Sequence, residues 1–172
     1  PYDQLALTTG SVPRRLPASI GGELGGVHVV RTLADVDEMA AGVHEGARLL
    51  VVGGGYIGLE AAAVLAELEV SVTVLEMSVR ILHRVTSPVM SDYMKHLHES
   101  QGVEIHTGVE VESIREEGQE KLIGCADGAQ FRADFLIVGI GVEANVSLAL
   151  SAGIESGSGI QVSEYCRTSD EH

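Results

Sequence analysis

The chain has 172 residues, 45% of them hydrophobic and 3% aromatic, with no Trp, 21 Gly and a formal net charge of −14 at pH 7. That length suits a domain burying roughly 70% of its unfolded surface, while the acidic balance and scarcity of rings exclude a nucleic-acid binder or an anionic-membrane partner, because phosphates would be repelled and bases would find few stacking platforms. Cys125 and Cys166 form no CxxC and have no neighbour at metal-ligand spacing, so no metal is expected; both read as reduced thiols of a cytoplasmic protein with no signal sequence and no bilayer-length apolar run.

From Pro1 to Gly26 the text is rich in Gly, Pro, Ser and Thr around Leu5-Ala6-Leu7, which predicts one strand and a long loop. Thr32 and Asp35 form a capping-box pair, and Val36, Met39, Ala40 and Val43 continue a helix that Gly46 stops. Leu49 to Val52 reads as a buried strand. After the glycine-rich turn comes a helix with Ile57, Ala61, Val64, Leu65 and Leu68 on one face, then a strand from Val70 to Leu75 that ends at Glu76. A loop with Arg80, His83 and Arg84 leads to Ser87-Pro88, a cap and first-turn proline, and a helix through Tyr93, Met94 and Leu97 to Gly102. Val103 to His106 is a third strand.

Beyond it the apolar period becomes two. Val109, Val111 and Ile114 alternate with polar residues, Leu122 to Ala126 repeats the pattern, and Asp127-Gly128 marks a hairpin turn. Phe135 to Val138 is a continuous apolar run between polar residues and Gly139 and Gly141, as for a strand returning to a parallel sheet. The fold class is therefore α/β: a Rossmann-like parallel sheet with helices on both faces and an antiparallel three-stranded β-meander.

Gly53-x-Gly55-x-x-Gly58 lies between a predicted strand and a predicted helix, the context that gives this pattern meaning. One glycine permits the tight turn, the next admits a pyrophosphate to the backbone, and the third lets helix approach strand. The whole turn, Gly53, Gly54, Gly55, Tyr56, Ile57 and Gly58, is the candidate cradle, with the helix N-terminus offering amides to the phosphates. Glu76 closes the next strand about 20 residues on, where a carboxylate accepts bonds from a ribose diol and repels a 2′-phosphate, favouring NAD(H) over NADP(H). A purely structural turn with a solvated Glu76, or the glycine loop and acidic strand end of a methyltransferase, stay open as alternatives. His96 and His98 are two apart on a helix and cannot share a metal.

The runs "YDQLALTTGSVPRRLP", "LLVVGGGYIGLEAAAVLAELEVSVTVLEM", "RILHRVTSPVMSDYMKHLHESQGVEIHTGVEV" and "ADFLIVGIGVEANVSLALSAGI" resemble the FAD-dependent ferredoxin and rubredoxin reductases of the pyridine nucleotide-disulfide oxidoreductase superfamily, over nearly the whole chain. The resemblance implies an NAD domain inserted into a split FAD domain. Residues 1–31 then correspond to a flanking FAD-domain strand and linker, 32–145 to the NAD(H)-binding domain and 146–172 to a truncated return segment, so that the chain is a fragment, inactive alone.

It further implies that NADH passes a hydride to FAD, and that electrons go singly to an iron–sulfur ferredoxin or rubredoxin. No residue here is then a catalytic acid, base or nucleophile. By the same resemblance Thr9, Gly10 and Arg14 touch FAD, and Gly139 and Gly141 admit the nicotinamide. Thr8 stands where the family often has Ala, and Ala144 replaces the common Pro of its loop. Tyr56 covers the flavin face or packs against the sheet edge; Glu60 meets the carboxamide or offsets the helix dipole; Arg80 and Arg84 pair with the adenosine phosphate or are solvated. Another FAD-dependent disulfide oxidoreductase, a nitrite reductase and a non-catalytic NADH-sensing module remain as alternatives.

Overall fold

Four consecutive apolar residues, Leu49 to Val52, demand cover on both faces of their strand, and this strand lies at the centre of a parallel sheet. The computed structural model describes residues 3–170. In chain order its elements are β1 (Ser11–Pro13), a 3-10 turn (Ala18–Ile20), β2 (Val27–His28), α1 (Leu33–Ala40), β3 (Arg48–Val52), α2 (Tyr56–Glu67), β4 (Ser71–Glu76) and α3 (Pro88–Ser100). They continue with β5 (Glu104–Thr107), β6 (Val111–Glu117), β7 (Glu120–Cys125), β8 (Gln130–Ala133), β9 (Phe135–Val138), β10 (Val142–Ala144) and α4 (Ser147–Ser151). The chain divides into two compact units, Arg14–Gly141 and the flanks that end at Pro13 and begin at Val142.

In the larger unit the parallel sheet has the order β2-β9-β3-β4-β5, with Leu49 opposite Phe135 on one side and Val72 on the other. Alternate residues of β3 serve opposite faces. Leu49 and Val51 join Met39 of α1, Leu59, Ala62 and Leu65 of α2, and Ile81 and Leu82, with Met94 of α3 packed against them. Leu50 and Val52 join Leu75, Leu136 and the inward residues Ile114, Ile123, Cys125 and Ala133 of the meander β6-β7-β8. The sheet, helices and meander are as the sequence predicts, with one difference of placement: the meander occupies the face where a second helical layer is expected. The switch to period two between β5 and β9 is its cause, since a two-sided sheet needs one apolar layer per face, whatever element supplies it.

Arg48, at the start of β3, ties the two layers at their edge. Its guanidinium donates to Asp134 Oδ1 at 2.7 Å and Glu120 Oε1 at 2.8 Å, and its backbone amide donates to Asp134 Oδ2 at 2.8 Å. The Arg48 guanidinium holds the Asp134 carboxyl below the usual carboxylate range, and with Arg132 it does the same for Glu120.

Three local expectations are corrected. The apolar face of α2 is not Ile57, Ala61, Val64, Leu65 and Leu68: Gly58, Leu59, Ala62 and Leu65 are buried, while Val64 is 57% and Leu68 53% exposed. Nearly every position of this helix is apolar, so periodicity selects no face, and the close approach at Gly58 does. Helix α1 carries the expected capping box, with the Thr32 amide donating to Asp35 Oδ2 at 2.6 Å, but ends at Ala40 rather than near Gly46. Leu5–Leu7 form no strand, and Leu5 is 59% exposed. The strand of the smaller unit is β1, whose Ser11 pairs with Ala144 in antiparallel β10; backbone partners, not three apolar residues, decide where a ladder forms.

Candidate functional site

The end of β3, the start of α2 and the end of β9 meet through backbone alone. Gly53 has φ +106, a left-handed conformation that favours glycine, and a Cβ there would lie 2.5 Å from the Gly139 oxygen. A Cβ at Gly58 would overlap the Gly53 carbonyl oxygen. The Gly53 amide donates to Leu75 O at 2.8 Å and the Gly139 amide to Val52 O at 2.8 Å, so the sheet ladder runs into the turn from both neighbouring strands.

Gly55 differs from both. It has φ −85 and ψ −175 as the residue capping α2, and the nearest atom to a Cβ there is the Gly139 oxygen at 3.8 Å. The space above it is open, and the amides of the first turn of α2 have no carbonyl of their own helix to bond. An anion at this point meets donors and the positive end of the helix dipole.

Glu76 reaches this turn from the end of β4. Its Oε2 accepts the Gly54 amide at 2.7 Å and its Oε1 accepts the Ser78 amide at 2.6 Å. A carboxylate has about four acceptor positions, so two bonds fix its orientation and leave capacity for the two hydroxyls of a diol. At the next peptide, the Gly54 carbonyl accepts the Leu82 amide at 2.9 Å, and Ile81 Cγ2 lies 2.8 Å from where a Gly54 Cβ would be. The sequence gives no sign of this Ile81-Leu82 support, because Leu82 takes a positive φ of 52 that no side chain of its type announces.

The remaining candidates are placed as follows. Tyr56 is 58% exposed in the first turn of α2, and Ile57 and Glu60 are exposed on the same helix. The Gly141 carbonyl accepts the Arg14 amide at 2.9 Å, leaving the exposed Arg14 side chain outside that bond. Arg84 is exposed. Arg80, half-buried, is bonded within the protein: its guanidinium donates to Thr86 O at 3.0 Å, Ser91 Oγ at 2.7 Å and His83 O at 2.9 Å. In the smaller unit, Thr9 Oγ1 donates to Asn145 O at 2.5 Å and Gly10 O accepts the Asn145 amide at 2.9 Å.

Among the described residues no group of His, Cys, Asp or Glu is arranged to hold a metal ion, and no helix is long and apolar enough to cross a membrane. Cys125 is buried, and burial, with Asp127 and Glu112 nearby, pushes its thiol up and away from reactivity; Cys166 is exposed.

The family model of the pyridine nucleotide-disulphide oxidoreductases matches residues 1–172. The chain is 40% identical over 174 residues to putidaredoxin reductase of Pseudomonas putida, covering 98% of the chain and 41% of that protein. It is 42% identical over 170 residues to the ferredoxin reductase subunit of a 5,5'-dehydrodivanillate O-demethylase from Sphingobium, again covering 98% of the chain and 41% of the relative. Among solved structures, the covalent putidaredoxin reductase–putidaredoxin complex superposes with a TM-score of 0.90 at 38% identity, over 99% of the chain and 42% of the other. The chain thus spans about two fifths of the length of these relatives.

Proposed function

Since the chain belongs to the pyridine nucleotide-disulphide oxidoreductase family, we propose that residues 32–145 bind NADH for a flavoprotein reductase that serves an iron–sulfur ferredoxin or rubredoxin. The observation that carries this reading is the Gly54–Glu76 hydrogen bond of 2.7 Å. It holds a diol acceptor beside a glycine turn whose middle glycine, Gly55, has open space over it.

The pyrophosphate lies over Gly55 and the first turn of α2, within the turn Gly53–Gly58, and Glu76 takes the adenosine ribose. Its charge opposes a 2′-phosphate. Arg84, exposed beyond β4, is available to the adenosine phosphate, whereas Arg80 gives three of its donors to the protein. Tyr56 and Glu60, exposed at the start of α2, and Gly139 and Gly141, after β9, line the approach of the nicotinamide: Glu60 to meet its carboxamide, Tyr56 to yield to it. Thr9, Gly10 and Arg14 belong to the flavin contacts, with 1–31 and 146–172 as the flanks of the nucleotide domain. When bound, the nicotinamide supplies a hydride and the flavin accepts it. The residues of this chain bind, orient and repel, and none donates or accepts a proton in the reaction. The apolar burial of Cys125 fits a reducing, cytoplasmic setting.

Calorimetric titration of the chain with NADH and with NADPH tests this. Tight NADH binding with weak NADPH binding is expected; no saturable binding of either overturns the reading.

A further inference from the structure

Arg80 has an unusual set of partners for a loop arginine. Its guanidinium donates to the carbonyls of His83 and Thr86 and to the hydroxyl of Ser91, and Ser91, fully buried near the start of α3, donates that hydroxyl to the Ile81 carbonyl. The amides of Val85 and Thr86 both bond the Leu82 carbonyl, at 3.0 and 3.2 Å. These bonds close the segment from Arg80 to Thr86 into a ring that holds Leu82 at φ 52. A leucine in that conformation persists only where its surroundings over-determine it, and here the surroundings are the Arg80 bonds together with the burial of Ile81 and Leu82.

The strained residue has one outward product. Its amide holds the Gly54 carbonyl at 2.9 Å, opposite the bond from the Gly54 amide to Glu76. We propose that Arg80 is a positioning residue of the nucleotide site: by closing the Arg80–Thr86 segment it sets the Leu82 amide under Gly54, so that the glycine turn is already ordered when a dinucleotide pyrophosphate arrives. This rests on the NADH reading above. Arg80 touches neither ligand nor reacting atoms in this scheme and acts wholly through the Gly54 carbonyl. Its planar fork suits three acceptors in fixed directions, which a lysine ammonium satisfies only in part.

The test uses the full 172-residue chain with Arg80→Met and Arg80→Lys, NADH as the probe, and amide hydrogen exchange at Leu82, with Ile123 of the meander as internal reference. Arg80→Met is expected to weaken NADH binding tenfold or more and to speed exchange at Leu82 by a similar factor, while Ile123 stays within twofold of the parent. Arg80→Lys is expected to lose less affinity than Arg80→Met, and it carries the comparison if Arg80→Met does not fold. NADH affinity within twofold of the parent, or exchange at Ile123 rising in step with Leu82, overturns the proposal, because Arg80 is then a matter of general stability. A parent chain that binds no NADH overturns the site reading itself, and the role of Arg80 with it.

Discussion

The Glu76 carboxylate accepts the Gly54 amide at 2.7 Å, so the acidic end of β4 and the glycine turn after β3 are one bonded unit rather than two motifs that happen to be near each other. Glu76 thus orders the turn and, in the function proposed above, also meets a ribose; substitutions at this position separate the two roles.

Nucleotide preference follows first. Loss of a charged diol contact together with repulsion of a 2′-phosphate amounts to roughly 1–3 kcal/mol, or ~5- to 150-fold in favour of NADH. Glu76→Gln keeps an acceptor for one of the two backbone amides, sets its NH2 against the other and removes the charge, and is expected to shrink the preference while lowering the melting temperature less than Glu76→Ala. Glu76→Ala leaves two backbone amides without their partner and is expected to lower both. Parallel titrations with NADH and NADPH, beside thermal unfolding of each variant, separate the two effects, and equal affinity of the parent for both nucleotides would refute the role given to the charge.

The glycines divide in the same way. A side chain at Gly58 collides with the Gly53 carbonyl, so Gly58→Ala is expected to destabilise the domain by about 1–3 kcal/mol through overpacking. A Cβ at Gly55 would come no nearer than 3.8 Å to Gly139 O, the closest atom outside its chain neighbours. Gly55→Val should unfold within a few degrees of the parent, yet lose NADH affinity because its methyls occupy the phosphate's space. Urea denaturation and NADH fluorescence titration of both variants decide this: a Gly55→Val chain that binds like the parent makes the turn structural only.

How far these features are legible in the sequence depends on whether the chemistry leaves a choice. Gly53 and Gly58 are legible because a backbone crossing restricts the residue type, and Gly55 and Glu76 fall at the spacing that the proposed dinucleotide site requires. The buried face of α2 is not, since a helix apolar on nearly all sides carries no periodic preference, and Gly58 alone betrays it. The two-residue β2 and three-residue β10 are too short to show any period. The support beneath Gly54 is the least legible of all: Arg80 reads as a loop cation that either pairs with a phosphate or is solvated, and only the positions of three acceptors reveal its bonds within the protein.

Acid should loosen the Arg48 network. Arg48 keeps Asp134 ionised in the folded state to a lower pH than in the unfolded chain, whose carboxyl is half-protonated at about 4. The contribution is therefore complete above pH ~4 and is lost as pH falls through the depressed folded value. Both side chains are partly open to solvent, which screens the pair, so Asp134→Asn is expected to cost about 1 kcal/mol at pH 7 and much less at pH 3. Urea midpoints of parent and variant at the two pH values check it, and an equal difference at both would exclude the ionised pair as the cause.

His98 sets a second pH window. It lies in the last turn of α3, where the helix dipole favours a charged imidazole, but burial opposes the charge and holds its pKa below the usual histidine value, so burial wins. The unfolded chain then takes up this proton first as pH falls below ~6.5. Stability from neutral His98 is thus complete above that pH and declines below it, the slope following the difference in bound protons. His98→Leu removes the titrating group while filling much of the same space. Its stability is expected to fall less steeply than the parent's between pH 7 and pH 5, by a difference that the other histidines, common to both chains, do not affect. Chemical denaturation across that range measures the two slopes, and parallel slopes would mean that His98 is equally easy to protonate folded and unfolded.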